Sequence, residues 1–218
     1  MGIKYISDVV CRTINTSIVG VGGLDTGSLT ASSWYYVWAI YNSTTTTLGI
    51  IISLSSSSPT MPSGYDFSSR IGTIKLDGSS NIVGFKQVGG TFRYILGSNL
   101  ALLYAMAAGS TGNVYIPVSV SSFVPPTAFK ISLLLFAEGS YATFVAASVA
   151  PNSNYQASLG ENPTTIGLVP PMGISSSGAN TTTTLSMTYD MFLESNNVYF
   201  AAATTDGYLN CLGWEENF

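Results

Sequence analysis

The stretch Trp34-Tyr35-Tyr36-Val37-Trp38-Ala39-Ile40-Tyr41 decides the fold class of this chain. Aromatic and β-branched residues favour a pleated strand, in which even and odd positions point to opposite faces. Neither face of this stretch is polar, whereas a half-exposed antiparallel strand alternates apolar with polar residues. We therefore predict a strand that is covered on both faces. One cover is the partner layer of its own sandwich, and the other is a further layer of the chain, a second subunit or a ligand.

The remaining sequence repeats short apolar segments that are separated by turn residues. Asp77-Gly78, Gly89-Gly90 and Asp206-Gly207 lie between such segments, where glycine readily adopts the positive φ of a tight hairpin. Pro117 falls inside a predicted strand and indicates an edge or a bulge. No helix of normal length is indicated, and many short strands at regular spacing predict an all-β fold. The predicted strands span residues 12–19, 34–41, 48–54, 70–76, 81–88, 91–96, 100–106, 114–120, 129–136, 142–149, 183–189, 197–203 and 208–214.

Charged residues are scarce. Lys and Arg total 7 and Asp and Glu total 11, so charge accounts for 8% of the 218 residues, against a typical value of roughly 25%. A surface built from Ser, Thr, Asn, Gly and Tyr permits extensive burial in an oligomer. The net charge of −4 and the wide spacing of the cations argue against nucleic acid as a partner. The longest apolar run, residues 100–108, is far shorter than the roughly 20 residues that span a bilayer, so we expect no membrane insertion.

No linker or charge run divides the sequence. We expect a single β-sandwich domain over residues 22–218, preceded at residues 1–21 by a strand-like lead-in to a preceding segment. The first residues lack the long apolar region of a secretory signal. Cys11 and Cys211 do not form a disulfide framework and are expected to be buried thiols of a protein made in a reducing cytosol.

The sequence excludes most common catalytic classes. Histidine is absent, which removes the commonest general base and the usual serine, cysteine and zinc hydrolase arrangements. Carboxylate pairs that act on sugars need no histidine, and Asp190 with Glu194 or Glu215 with Glu216 are candidates. Such acids are more often solvated turn or terminal residues. We therefore expect no catalytic residue, no cofactor and no metal site.

Tyrosine, present 13 times, is the main chemical resource that remains. Its flat ring and hydroxyl suit stacking on sugar rings, and with Asn, Ser and Gly it forms adaptable binding loops. Large aromatic residues within strands are expected in the core or in a subunit interface. The predicted ligand-binding residues are Tyr65, Asn154, Tyr155, Tyr189 and Tyr208, and the predicted core or oligomer residues are Trp34, Tyr36, Trp38 and Trp214.

Several segments resemble a domain that recurs in the tail fibres and related tail proteins of tailed bacteriophages. The resemblance is clearest in residues 22–43, GGLDTGSLTASSWYYVWAIYNS, and in residues 59–90, PTMPSGYDFSSRIGTIKLDGSSNIVGFKQVGG. The closing segment, NNVYFAAATTDGYLNCLGWEENF at residues 196–218, is similar to the end of the same proteins. Residues 122–136 and 149–155 fit between these segments.

The resemblance implies a jelly-roll-like β-sandwich that assembles as a homotrimer at the distal end of a virion fibre. It implies a protein made in the cytoplasm of the host bacterium and located in the virion. The implied partners are further copies of the chain, other virion tail proteins, and bacterial surface polysaccharide or lipopolysaccharide. Two alternatives stay open: a structural head-fibre, capsid-decoration or baseplate protein without a receptor role, and a glycan-cleaving tail enzyme that uses the Asp/Glu pairs.

Overall fold

The computed structural model describes residues 13–95, 105–112, 114–139, 145–155, 172–176, 182–203 and 206–218. These residues form antiparallel sheets and connecting turns, with no helix among them, which confirms the all-β prediction. The chain divides into two compact units. The first comprises the described residues up to Val83 together with Phe218, and the second runs from Gly84 to Asn217. Both units include residues from residue 22 onward, and the single domain expected there stays a prediction.

The first unit contains a three-stranded antiparallel sheet with the aromatic strand at its centre. Strand β1 (Trp34–Asn42) pairs with β2 (Thr47–Ser53) on one side and with β3 (Phe67–Lys75) on the other. The prediction of strands at residues 34–41 and 48–54 is therefore confirmed. Both neighbours of β1 are joined to it by backbone hydrogen bonds, so its polar main chain is satisfied within the sheet.

The described part of the lead-in belongs to the first unit. Residues 13–25 include a segment along the outer edge of β2, where the Gly22 N–H donates to the Ile50 carbonyl at 2.7 Å. The strand predicted over residues 12–19 is wrong for residues 13–19, which form turns and end in a one-residue bridge at Val19. These residues supply an edge cover for β2 rather than a strand of their own.

Strand β1 is covered on both faces by segments of its own unit. The loop before β1 contributes Ile14 and Leu29 to one face, and the loop after β2 contributes Met61 and Tyr65 to the other. The two apolar faces predicted from the sequence are therefore both packed within this chain. The buried clusters are Leu24, Tyr35, Ile52 and Leu76 on the first face, and Tyr36, Trp38, Ile40 and Ile51 on the second.

Buried polar groups fix the loop after β2. The Trp38 indole Nε1–H donates to the Ser55 carbonyl at 3.2 Å. The Asp25 carboxylate, which is buried, accepts from the Ser53 hydroxyl at 2.6 Å and from the Thr60 backbone N–H at 2.9 Å. Because a buried carboxylate is stable only when it is hydrogen-bonded, this arrangement ties the covering loops to β2.

The second unit contains two antiparallel sheets. One follows the strand order β11-β8-β13-β5-β4, with β6 also paired to β13, and the other follows β10-β9-β12-β7. Strand β8 contacts β9 and β10 contacts β11, and all six residues of β9 are buried, as is consistent with a β-sandwich. The strands are β4 (Phe85–Val88), β5 (Thr91–Tyr94), β6 (Ala105–Ala108), β7 (Ile116–Ser119), β8 (Ala128–Gly139), β9 (Val145–Ala150), β10 (Met172–Ser176), β11 (Thr183–Phe192), β12 (Asn197–Ala202) and β13 (Asp206–Glu216).

Turn residues predicted some connections correctly and one wrongly. Gly89-Gly90 joins β4 to β5, and Pro117 lies on β7 at the edge of its sheet, as predicted. Asp206-Gly207 instead begins β13, because β12 and β13 belong to different sheets and are not joined by a hairpin. Strand β10 was not predicted, and most of the strand predicted at residues 100–106 lies outside the described residues, as does Cys11. Cys211 is a buried thiol, as predicted.

The turn after β3 is organised by Asp77. Its Oδ1 accepts from the backbone N–H groups of Asn81 and Ser79, both at 2.8 Å, and its Oδ2 accepts from Asn81 Nδ2 at 3.2 Å. The hydrogen bond from the Asn81 backbone, with the smaller contributions of Ser79 and of the Asn81 side chain, lowers the pKa of the Asp77 carboxyl from its ordinary value. The ionised carboxylate is therefore the form that holds this turn.

We predict that Trp38→Ala destabilises the first unit by about 3–5 kcal/mol, because it removes a buried indole from between the sheet and its covering loop. Val19→Ala, at a side chain that is 60% exposed, is the control and should change stability by less than about 0.5 kcal/mol. Urea unfolding followed by circular dichroism measures both. Equal stability of the two variants would show that the cover of this face does not depend on Trp38.

We predict that the stability advantage of the wild type over Asp77→Asn is present at neutral pH and lost in acid. A carboxyl whose folded pKa lies below its unfolded pKa of about 3.9 stabilises the protein above that pKa. The contribution disappears as the pH falls through the lowered folded pKa. Unfolding midpoints of both proteins between pH 7 and pH 2.5 provide the measurement. A difference that is constant over this range would contradict the role assigned to the ionised carboxylate.

Candidate functional site

A row of four residues crosses the larger sheet of the second unit. Arg93 on β5 is opposite Gly213 on β13, Gly213 is opposite Ser132 on β8, and Ser132 is opposite Asp190 on β11. Register partners on neighbouring strands lie side by side. The row therefore brings together Arg93 and Asp190, which are 97 residues apart in the sequence.

The polar side chains of this row form one network, in which Arg93 and Asp190 are exposed and Ser132 is buried. Arg93 Nη2 lies 3.3 Å from Asp190 Oδ1, and the two side chains are 45% and 43% exposed. The Ser132 hydroxyl also donates to Asp190 Oδ1. Gly213, between them in register, has no side chain to occupy the row. An ion pair this exposed contributes only about 0–1 kcal/mol to stability, so its charged groups are accessible at little energetic cost.

The row borders a groove with a volume of about 460 Å³. This volume is within the range of roughly 300–1,000 Å³ that is typical of small-molecule sites. The pairing of β13 with β8 shifts register between Cys211 and Gly213, and the intervening Leu212 lies in the groove wall. Bulges of this kind redirect side chains beside functional sites. The lining residues are Arg93, Tyr94, Leu133, Thr188, Tyr189, Asp190 and Leu212.

The groove combines apolar surface with hydrogen-bonding groups. Tyr189 is half-buried on β11, and its side chain lies on the face of the sheet opposite Asp190, because neighbouring residues of a strand point to opposite faces. Tyr94 is buried, its ring packs against Trp214, and its hydroxyl donates to the Phe123 carbonyl at 2.5 Å, so its side chain belongs to the core. Thr188 adds an exposed hydroxyl beside the Arg93–Asp190 pair. A hydroxyl, a guanidinium and a carboxylate are thus available to one ligand.

The carboxylates of the first predicted catalytic pair line different grooves. Glu194 borders a second groove of about 280 Å³, which is formed by the turn between β11 and β12 and by residues 120–128. Its Oε2 accepts from Asn152 Nδ2 at 2.6 Å. Asp190 is engaged by Arg93 and Ser132 in the first groove. Neither groove lining contains both acids.

The acids of the second predicted pair have separate structural partners. Glu215 Oε2 lies 2.8 Å from Lys130 Nζ. Glu216 is buried and accepts from Trp214 Nε1 at 2.8 Å and from the Thr127 hydroxyl at 2.6 Å. Charged hydrogen bonds of this kind satisfy a buried carboxylate, so Glu216 has a structural role beneath the sheet.

The structure does not bring the five predicted ligand-binding residues into one groove. Tyr189 lines the groove described above, and Tyr65 covers β1 in the first unit. Asn154 and Tyr155 follow β9, where the Asn154 N–H donates to Asn152 Oδ1 at 2.9 Å. The five residues lie on different strands and loops. The two-residue period of a strand gives no information on how such segments are arranged in space.

Tyr208 and the large strand aromatics are placed by the sheets. Tyr208 is exposed on β13, and Trp34 is half-buried on β1. Tyr36 and Trp38 are buried in the first unit, and Trp214 is fully buried in the second, where its ring stacks on Phe92 at 4.6 Å. Packing within one chain accounts for the burial of these last three aromatic residues.

Sequence reasoning missed Arg93 and Ser132 as site residues and singled out Asp190 only as an acid. A usable signal was present in β11, where Ser186, Thr188 and Asp190 alternate with larger side chains and mark a polar face. No local signal indicates that Arg93 lies in the same row, because strand order and register are set by distant pairings.

Neither a search for other kinds of site nor a comparison with known proteins assigns a further function to the described residues. Among the described residues, no group of three or more His, Cys, Asp or Glu residues is arranged to hold a metal ion. In the same part of the chain, no helix has the length and apolar character needed to cross a membrane. Comparison of the chain with protein-family models, with curated proteins and with solved structures finds no match.

We predict that Gly213→Ala destabilises the second unit by about 1–3 kcal/mol, the usual cost of overpacking. The added Cβ would lie 2.0 Å from the Phe92 carbonyl oxygen and 3.0 Å from Arg93 Cα. Gly84→Ala is the matched control, since its Cβ would meet only Ile95 atoms at 3.8 Å and beyond. Urea unfolding of both variants tests this. A Gly213→Ala protein as stable as the control would contradict the close approach of β13 to β5.

Proposed function

We propose that this protein is a non-catalytic virion protein, the distal domain of a bacteriophage tail fibre or spike, which binds a glycan of the host-cell surface. The observation that carries the proposal is the groove beside the Arg93–Asp190 row. The charged pair and the exposed Thr188 hydroxyl offer donors and acceptors to the hydroxyls of a sugar, and Leu212 in the groove wall offers apolar surface. These are the contacts that recognition of a polyhydroxylated ligand needs.

The sequence resemblance supports the virion part of the proposal. The similarity to tail-fibre domains extends over residues 22–43, 59–90 and 196–218. These segments include β1 together with Leu29, Met61 and Tyr65 of its covers in the first unit, and the whole of β13 in the second. They therefore coincide with central parts of the two units rather than with peripheral loops.

The proposed quaternary state is a homotrimer of jelly-roll-like subunits. The low charge content of 8% supports burial of additional surface between subunits. Large apolar side chains remain exposed on the single chain, including Phe192 at 65% and Val114 at 62%. A trimer would be made in the bacterial cytoplasm and incorporated into the virion together with other tail proteins.

A non-catalytic role is supported by the arrangement of the acids. Retaining and inverting glycosidases place two carboxyl groups on either side of one glycosidic bond, roughly 5–9.5 Å apart. Asp190 and Glu194 line separate grooves, and Glu215 and Glu216 are engaged by Lys130, Trp214 and Thr127. We therefore propose binding without cleavage.

We predict that Thr188→Ala and Arg93→Gln each lower binding to bacterial surface glycan at least tenfold, which corresponds to about 1.4 kcal/mol. The full-length protein would be tested for adsorption to a panel of bacterial strains and to an array of purified polysaccharides and lipopolysaccharides. Val88→Thr, on the β4–β5 hairpin, is the matched surface control and should bind as the wild type does.

Three results would contradict the proposal. A folded oligomer that adsorbs to no strain and to no glycan would argue against receptor binding. Immunogold labelling confined to the virion head would favour a structural head protein. New reducing ends on a purified polysaccharide would indicate cleavage.

A further inference from the structure

The charges in the groove bear on the class of glycan that it binds. Among the seven lining residues, Arg93 is the one cation and Asp190 the one anion, so the groove lining has no net formal charge. The Nη2–Oδ1 distance of 3.3 Å places the two charges in direct contact. A ligand that reaches one of them therefore also meets the field of the other.

The ion pair retains unused hydrogen-bonding capacity. A guanidinium has five N–H donors, and a carboxylate has about four lone-pair sites. Both contacts that the structure records for the Asp190 carboxylate, from Arg93 and Ser132, are made to Oδ1. Its Oδ2 and the remaining Arg93 donors can serve a ligand while the ion pair stays intact.

Adjacent sugar hydroxyls match this pair. Each hydroxyl is both a donor and an acceptor, so one hydroxyl can donate to the Asp190 carboxylate while its neighbour accepts from the Arg93 guanidinium. Hydrogen bonds to ionised groups are roughly twice as strong as neutral ones. Two neighbouring hydroxyls on one ring would thus be bound together, with the exposed Thr188 hydroxyl beside them.

An acidic sugar fits the same groove poorly. Its carboxylate would have to approach Arg93 beside the like charge of Asp190, or displace Asp190 from the ion pair. The chain as a whole carries a net charge of −4 and offers only 7 cations, so long-range attraction of an anionic polymer is also absent. A cationic sugar meets the corresponding repulsion from Arg93.

We propose that the groove binds an uncharged oligosaccharide segment, with Arg93 and Asp190 together holding two adjacent hydroxyls. This inference rests on the proposed glycan-binding function and specifies its ligand class. The role of Asp190 is then to recognise a hydroxyl and to keep Arg93 from acting as an anion receptor.

The test uses two matched ligand series. One consists of neutral gluco-, manno- and galacto-oligosaccharides, and the other of the corresponding uronate oligosaccharides, in which a carboxylate replaces the C6 hydroxymethyl group. Binding of the full-length wild type, Asp190→Asn, Arg93→Gln and the Val88→Thr control is measured by calorimetry at 50 and 500 mM NaCl. Unfolding midpoints of all four proteins confirm that each is folded.

We expect the wild type and the control to prefer a neutral oligosaccharide over its uronate counterpart by at least tenfold, with little effect of salt. Asp190→Asn should weaken neutral binding about tenfold and strengthen uronate binding, since it removes the like charge and leaves Arg93 unpaired. Arg93→Gln should weaken neutral binding without any gain for the uronates.

Two further results distinguish failure of this inference from failure of the proposed function. The wild type could instead bind a uronate more tightly than its neutral counterpart, and Arg93→Gln could abolish that binding. This result would overturn the assignment of an uncharged ligand while leaving glycan binding in place. Neutral binding that neither variant alters would overturn the assignment to this groove. Absence of binding to either series, and to the bacterial polysaccharide array, would overturn both the inference and the proposed function.

Discussion

Burial of strands on both faces is the constraint on which both units depend. Strand β1 holds two separate apolar clusters, and all six residues of β9 are buried. Both faces of such a strand are apolar, and apolar surface is stabilised when it is removed from water. Each face therefore needs a cover. In the first unit the covers are loops rather than regular layers. The buried Asp25 carboxylate, which accepts from Ser53 and Thr60, shows how such a loop is held in place.

The groove of the second unit depends on the pairing register of the strands that form it. Arg93, Ser132 and Asp190 meet because four strands pair with one alignment. A one-residue slip in any pairing would move a strand's side chains to the opposite face. The bulge at Leu212 and the close approach of Gly213 to Phe92 set that alignment locally. The polar site is therefore a product of the backbone pairing, and its exposed ion pair contributes little to stability.

Much of the strand content could be predicted because strand formation leaves a local signal. The aromatic stretch at β1 and the Gly89-Gly90 hairpin were predicted from residues that are close in the sequence. Strand β10 was missed because its alternation is limited to two apolar residues, Met172 and Ile174, between Pro171 and a run of serines. Asp206-Gly207 has the composition of a turn, yet it begins β13 because the chain passes from one sheet to the other at this point.

The candidate site was predicted only in part, for a related reason. Tyr189 and Tyr65 were both selected by residue type, but the Tyr189 side chain lies on the face of the sheet opposite Asp190 and Tyr65 covers β1. Asp190 was paired in sequence with Glu194, four residues later, although its partner is Arg93 on a strand that is three positions away in the sheet. Proximity in sequence was a poor guide because cross-strand neighbours come from distant segments.

By itself the sequence determined that this protein is all-β, that β1 needs a cover on both faces, and that histidine-dependent chemistry is absent. These properties follow from composition and from the two-residue period of a strand, which are local. Only the tertiary structure decided that loops of the same unit cover β1 and that Arg93 meets Asp190 across 97 residues. Strand order and register are set by the sum of many long-range pairings, and no short segment of sequence contains that information.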